Sequence, residues 1–107
     1  MGRKAVTLFP STRRLLEEMG ERIQRARLRR KLSVDLVGGR TGISSSSVWS
    51  VERGSPSVAM GIYAQVLLAI GLDGDLARIA ADDELGRTLQ DLDLPVRRRA
   101  PKRNTDG

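Results

Sequence analysis

The polar side chains that could do chemistry in this chain are concentrated between Ser44 and Arg53. Val48 and Val51 have the spacing of two residues that face inward from one helix, so residues out of phase with them face outward. We predict an outward face that reads base edges, made of Ser45, Ser46, Trp49 and Ser50. Hydroxyl groups donate and accept hydrogen bonds, and an exposed indole can contact a thymine methyl or a sugar.

Trp49, the one tryptophan of the chain, has an alternative place in the core. Tryptophan is usually well buried in folded domains. Trp49 lies about 100° around the helix from Val48, however, and this phase favours an exposed indole.

The composition argues against an enzyme. The chain has no His and no Cys, so it lacks the commonest general base, the commonest metal ligand and a thiolate. Without a Gly-rich phosphate loop or a clustered carboxylate pair on one face, we find no catalytic constellation. We therefore expect no catalytic residue, no cofactor and no metal site. The absence of Cys fits a reducing cytoplasm, and no apolar run approaches the length that spans a membrane.

Two short helices must position the outward face. We predict them over residues 34–40 and 45–53, joined by a turn at Gly42, where a glycine can adopt positive φ. Gly38 stands where the two helices come closest. The positions that must face inward carry apolar or small side chains: Val37, Thr41, Ile43, Val48 and Val51. This spacing is typical of a helix-turn-helix, whose second helix lies in the major groove of DNA.

The rest of the pattern predicts an all-α chain. Further helices are predicted over residues 11–30, 58–70, 73–80 and 83–92. Their predicted N-caps are Ser11 or Thr12, Asp73 and Asp82, whereas Ser33 and Ser44 cap the two short helices. Leu85, Leu89 and Leu92 give the last helix one apolar stripe.

Charge divides the chain into blocks. Residues 1–72 carry 12 Lys and Arg against 5 Asp and Glu, residues 73–93 carry 2 against 7, and residues 94–107 carry 5 against 1. The basic blocks suit an anionic partner, which the acidic block should face away from. We predict a flexible basic arm (1–10), a DNA-binding domain (11–72), an acidic helical extension for dimerisation or partner binding (73–93) and a disordered basic tail (94–107).

Polar residues near the helix ends and in the loop after the second short helix are candidates for binding phosphates. They are Ser33, Arg40, Ser44, Ser47, Arg53 and Ser55. RNA is an alternative anionic partner on charge alone, but the chain lacks the stacking aromatic residues that readers of single strands use.

An ordered set of short motifs keeps its spacing along residues 19–72. The set is Met19-Gly20-x-x-Ile23-x-x-Ala26-Arg27, Leu32-Ser33, Gly42-Ile43-Ser44, Val48-x-x-Val51-Glu52-Arg53-Gly54, Pro56 and Ile70-Gly71-Leu72. It resembles the five-helix, lambda-repressor-like domain of Xre/Cro-type phage and bacterial repressors, here with an extra C-terminal helical segment. The resemblance implies a homodimer on a palindromic operator in double-stranded DNA, and a structural ion pair between Arg27 and Glu52.

The chain departs from that family in three ways. Val34 replaces the usual Gln, whose amide bonds a phosphate. Gly38 and Gly39 each cost helix propensity of about 1 kcal/mol, so packing must hold that helix. The base-reading face carries serines and a tryptophan in place of the usual Gln, Arg and Lys, and serine hydroxyls read bases loosely.

The segment after Leu72 has a narrower resemblance. Gly71-Leu72-x-x-Asp75-Leu76, the acidic run Ala81-Asp82-Asp83-Glu84-Leu85-Gly86-Arg87 and the basic tail resemble HipB-like regulators encoded beside HipA-type kinases. Two functions stay open on these grounds. One is an autoregulating homodimeric repressor, cytoplasmic and associated with the nucleoid through DNA. The alternative is an antitoxin whose main role is to bind and neutralise a HipA-like kinase toxin.

Overall fold

The structure is a computed structural model that describes residues 6–92, and this part of the chain is helical without strands. The α-helices are α1 (Pro10–Arg29), α2 (Val34–Thr41), α3 (Ser45–Glu52), α4 (Met60–Ala69) and α5 (Glu84–Asp91), and a 3-10 helix covers Asp73–Arg78. The predicted all-α class is confirmed. The predicted basic tail (94–107) and residues 1–5 of the predicted arm lie outside the described residues.

The chain divides into two units, Met1–Leu76 and Ala77–Gly107. The first contains a small core to which α1, α2, α3 and α4 all contribute. Its buried apolar side chains are Ile23, Ala26, Val34, Val37, Val48, Val51, Tyr63, Val66, Leu67, Ala69 and Ile70. Tyr63 is the one aromatic member, as the scarcity of aromatic residues in the chain predicts. In the second unit, α5 is the regular element among the described residues.

Helix α1 begins earlier than the capping pattern predicts. Neither Ser11 nor Thr12 caps it, because Pro10 is already its first residue and Phe9 stands at the N-cap without a side-chain hydrogen bond. Proline suits this position, since its φ is pre-set for a helix and its missing N–H would have had no partner there. The helix ends at Arg29, and Lys31 follows in the left-handed region at φ 56°.

Helices α2 and α3 follow their local signals. The Ser33 hydroxyl accepts from the Leu36 amide at 3.0 Å, and the Ser44 hydroxyl accepts from the Ser47 amide at 3.2 Å, so both predicted N-caps are confirmed. Gly42 ends α2 in the left-handed region at φ 74°, and Gly54 follows α3 at φ 71°. The turn of the helix-turn-helix therefore lies where the glycine pattern places it.

Later boundaries correct the prediction. Helix α4 begins at Met60 and not at 58, because Ala59 is its N-cap and Val58 packs against the core from the preceding turn. The predicted helix over 73–80 is a 3-10 helix that ends at Arg78. Helix α5 is capped by Asp83, which accepts from the Gly86 amide at 3.0 Å, whereas the predicted cap Asp82 bonds Arg87 instead.

Candidate nucleic-acid interface

Helix α3 presents one face to the core and another to solvent. Val48 and Val51 are fully buried, and Glu52 is buried beside them. Ser46 and Trp49 are exposed, and the indole of Trp49 keeps 45% of its surface accessible. The aliphatic face of α3 thus packs in the core, and its outward face carries the hydroxyl of Ser46 and the indole of Trp49.

The hydroxyl of Ser46 shares a hydrogen bond with that of Ser44 at 3.2 Å. The other two predicted base-reading residues are also hydrogen-bonded within the domain and, unlike Ser46, are half-buried. Ser45 donates its hydroxyl proton to Oδ1 of Asp35, in the first turn of α2. Ser50 accepts from Nη2 of Arg53 at 3.2 Å. The structure therefore places Ser45, Ser46, Trp49 and Ser50 on one short helix, but with unequal freedom to meet a ligand.

The predicted phosphate-binding serines also serve the fold. Ser33 and Ser44 are N-caps, and Ser44 donates onward to the hydroxyl of Ser47 at 3.1 Å. The Ser55 hydroxyl accepts from the Ser57 amide at 3.2 Å. Each of these hydroxyls is held in place by a local bond, so its direction is set before any ligand arrives.

The two predicted phosphate-binding arginines differ. Nη1 of Arg40 donates to the carbonyl of Ala69 at 2.9 Å, which satisfies an acceptor at the C-terminal end of α4. Arg53 is exposed directly after α3 and bonds Ser50 on that helix. Arg40 therefore has a structural bond to an element distant in sequence, whereas the bond of Arg53 is local.

A buried ion pair joins α1 to the end of α3. Nε of Arg27 donates to Oε2 of Glu52 at 2.6 Å, and Nη2 donates to Oε1 at 3.0 Å. The side chains keep only 7% and 2% of their surfaces exposed. Nη1 of Arg27 also donates to the carbonyl of Leu32 at 2.9 Å. The guanidinium group is thus bonded on several sides, which offsets the cost of removing it from water.

Arg27 also contacts the outward face of α3. Its Cζ is 5.8 Å from the centroid of the Trp49 ring, within the range of a cation–π interaction. The charge that pairs with Glu52 therefore also contacts the indole that α3 presents outward. The resemblance to Xre/Cro-type repressors implies the pair but not this stacking.

Two glycines let the backbones of the helices approach each other. A methyl group at Gly20 would lie 2.6 Å from the Glu52 carbonyl oxygen, and one at Gly38 would overlap the Ile43 carbonyl oxygen. Gly39, its neighbour, has open space where a methyl group would be. The predicted close approach at Gly38 thus has a physical basis: α3 is held tightly against α1 at Gly20, and the turn before α3 is held tightly against α2 at Gly38.

Tyr63 ties α4 to the loop after α3. Its hydroxyl donates to the Ser55 carbonyl at 2.8 Å, and burial raises the pKa of this phenol above its ordinary value of 10.0. Burial disfavours the charged phenolate, which explains the direction.

Sequence reasoning missed the contacts made by Asp35, Tyr63 and the Arg40 guanidinium. The contact of Asp35 with Ser45 could have been predicted, because a carboxylate in the first turn of α2 lies opposite the start of α3. The bonds to Ser55 and Ala69 have no local signal, because the acceptors are backbone carbonyls brought near by packing.

Between residues 6 and 92, no group of three or more carboxylate, His or Cys side chains is placed to hold a metal ion. No helix in this range is long and apolar enough to cross a membrane.

Two short helices joined at a glycine turn, with an exposed polar face on the second, define a helix-turn-helix. The model of the helix-turn-helix domain family matches residues 18–79, more than half of the chain, and the chain belongs to that family. No curated protein matches it at a significant level. The protein is therefore a helix-turn-helix DNA-binding regulator, a class that is typically non-enzymatic.

Proposed function

We propose that this protein is a sequence-specific repressor that binds a palindromic operator in double-stranded DNA as a homodimer and inserts α3 into the major groove. The observation that carries the proposal is the outward face of α3, where Ser46 and Trp49 are exposed opposite a fully buried valine face. An α-helix fits the major groove, where each base pair shows a distinct pattern of donors and acceptors. Its proposed location is the cytoplasm, at the nucleoid.

The base-reading role is tested with a library of randomised duplexes. Ser46→Ala, Trp49→Ala and Ser50→Ala should each change the preferred site at one position, by about 1–3 kcal/mol. Ser11→Ala, which removes an exposed hydroxyl from α1, is the matched control and should leave the preferred site unchanged. An identical preference in the three α3 variants and the unmodified protein would refute base reading by Ser46, Trp49 and Ser50.

Phosphate binding is proposed for Ser33, Arg40, Ser44, Ser47, Arg53 and Ser55. Arg53 is the sharper test because it is exposed and its bond within the domain is local, to Ser50 three residues away. Arg53→Ala should weaken binding to all duplexes alike and reduce the slope of log affinity against log salt by about one unit. A loss confined to one operator sequence would contradict a phosphate role.

The homodimer is proposed to form through the residues after Leu72. Helix α5 has only eight residues, too few to be stable alone, and it leaves Leu85 and Leu92 69% and 65% exposed. A second copy of the same stripe would bury both leucines. Twofold symmetry would then place two α3 helices about one DNA turn apart, roughly 34 Å.

A matched pair of charge insertions tests the interface in the full chain. Leu85→Glu places a carboxylate in the apolar stripe and should give a monomer in sedimentation, with weakened binding to a palindrome. Gln90→Glu adds the same charge to an exposed position of α5 outside the stripe and should leave the dimer intact. A dimer that persists in Leu85→Glu would place the interface elsewhere.

A second function is favoured by the charge of residues 73–93, which carry 7 acidic and 2 basic residues. This is an antitoxin that neutralises a HipA-like kinase toxin, with the acidic extension against a basic surface of the enzyme. It is tested by co-expression with the protein encoded by the adjacent gene. A stable complex with lost kinase activity supports this function, and unchanged kinase activity contradicts it.

A further inference from the structure

Asp35 places a negative charge beside the start of α3. It lies in the first turn of α2, its side chain is exposed, and its Oδ1 accepts the hydroxyl proton of Ser45, the first residue of α3. The bond spans ten residues and crosses the turn of the helix-turn-helix. A carboxylate here is unfavourable for binding a polyanion, so a purely electrostatic DNA-binding surface would not contain it.

The hydrogen bond decides what Ser45 can offer a base. A serine hydroxyl has a single proton and two lone pairs. Because the proton is given to Asp35, the hydroxyl presents lone pairs alone. An ionised carboxylate is likewise an acceptor without a donor, and Oδ2 of Asp35 has no hydrogen-bond partner within residues 6–92. The two side chains together form a surface of hydrogen-bond acceptors with one negative charge.

Such a surface distinguishes the bases in the major groove. Guanine presents two acceptors there, and thymine presents an acceptor and a methyl group, so both meet the carboxylate unfavourably. Adenine presents an amino group, but its N7 acceptor lies next to it. In an A·T pair the adenine amino group has acceptors on both sides, N7 and the thymine O4. Cytosine presents its N4 amino group at the edge of the pair, with the guanine O6 on one side alone, and acidic side chains accept from it.

We propose that Asp35 and Ser45 form an acceptor pair that selects cytosine at one position of each operator half-site. This inference rests on the proposed function, since it names a base that α3 and the first turn of α2 read together. Asp35 contacts the base, and Ser45 holds the carboxylate toward it. The charge lowers affinity for every duplex through repulsion by phosphates, and the amino group of cytosine offsets that loss at the correct site alone.

The test compares full-length variants on a library of randomised duplexes. Asp35→Asn keeps the size of the side chain and an acceptor for Ser45 but removes the charge. It should reduce the preference for cytosine in one symmetric column of the preferred site by about 5- to 150-fold, the range of one good base contact. It should also raise affinity for random duplexes. Ser45→Ala should weaken the same column, because the carboxylate loses its fixed direction.

Glu18→Gln is the control for charge. Glu18 is an exposed carboxylate on α1, and its loss changes the net charge by the same amount as Asp35→Asn. It should leave every column of the preferred site unchanged. Circular dichroism checks that each variant is folded, and Ser45→Ala provides the test if Asp35→Asn does not fold.

The outcomes separate this inference from the proposed function. A clear operator preference in the unmodified protein that neither Asp35→Asn nor Ser45→Ala changes in a cytosine column overturns the acceptor pair and leaves the repressor intact. A change in Asp35→Asn equal to that in Glu18→Gln also overturns it, since charge alone then explains the effect. No sequence preference in the unmodified protein overturns the proposed function itself, and the acceptor pair with it.

Discussion

Replacing Arg27 by Met leaves the Glu52 carboxylate buried without the cation that neutralises it. The carboxylate keeps 2% of its surface exposed, so water cannot substitute for the guanidinium group. Removing one partner of a buried ion pair costs about 3–5 kcal/mol. The same substitution leaves the Leu32 carbonyl without its donor, which adds about 1–3 kcal/mol.

The converse substitution and the double variant complete the cycle. Glu52→Leu strands the guanidinium group with the Leu32 carbonyl as its remaining acceptor, and should also cost about 3–5 kcal/mol. The double variant Arg27→Met, Glu52→Leu buries no charge, so the carbonyl of Leu32 and imperfect packing are its main losses. We expect the double variant to be more stable than either single variant, with a coupling energy of several kcal/mol.

Urea unfolding followed by circular dichroism at about 15 °C, near the usual temperature of maximal stability, measures these differences. The total stability of a small domain is about 5–15 kcal/mol, so each single variant should lose much of its folded population. Val6→Ala, at an exposed position before α1, is a control that should change little. Additivity of the two single changes within about 0.5 kcal/mol would refute the reasoning.

Two further predictions concern the packing around α3. Gly38→Ala should destabilise the domain by about 2 kcal/mol, because the backbones of α2 and the turn must separate. Gly39→Ala should stabilise it by about 1 kcal/mol, because alanine has the higher helix propensity and the space is open. The midpoints of urea unfolding compare the two variants. Equal effects would contradict the close approach at Gly38. The pKa of the Tyr63 phenol is raised in the folded protein, so the unfolded chain loses this proton first as the pH rises past about 10. The free energy of unfolding should therefore fall as the pH rises from about 10 to the pKa of the folded state. Tyr63→Phe should cost about 1 kcal/mol at neutral pH and show a smaller alkaline decline, and an identical decline in both proteins would assign it to other groups.

Local rules predict the helix-turn-helix well because its signals are short-range. Ser33 and Ser44 cap α2 and α3 through amides three residues away, and Gly42 adopts the positive φ that the turn requires. The start of α1 shows where such rules conflict. Ser11 is a good N-cap residue, but Pro10 before it is equally suited to the first helical position. In the structure α1 begins at Pro10.

Contacts between distant residues are predictable only where both partners carry a signal. Arg27 and Glu52 are 25 residues apart, and their pairing is implied by the family resemblance that the motifs around both residues carry. Arg40 and Ala69 are 29 residues apart, and the acceptor is a backbone carbonyl that every residue has. The pairing of Arg40 with this carbonyl depends on the angle between α2 and α4, which no local sequence pattern contains. A surface arginine in a basic domain therefore predicts a phosphate contact, although the structure gives Arg40 a bond to the protein.

Residues that stabilise this domain also contact the proposed base-reading face. The Arg27 guanidinium group donates two hydrogen bonds to the carboxylate of Glu52 at the end of α3, and these bonds fix its position. Its Cζ lies 5.8 Å from the ring centroid of Trp49, so the indole contacts a cation that is already held in place. Ser45 is directed by Asp35 in the same way, across the turn. Ordering these side chains costs conformational entropy on folding, and that cost does not recur when DNA binds. Substitutions at Arg27 should therefore reduce operator affinity even in variants that remain folded.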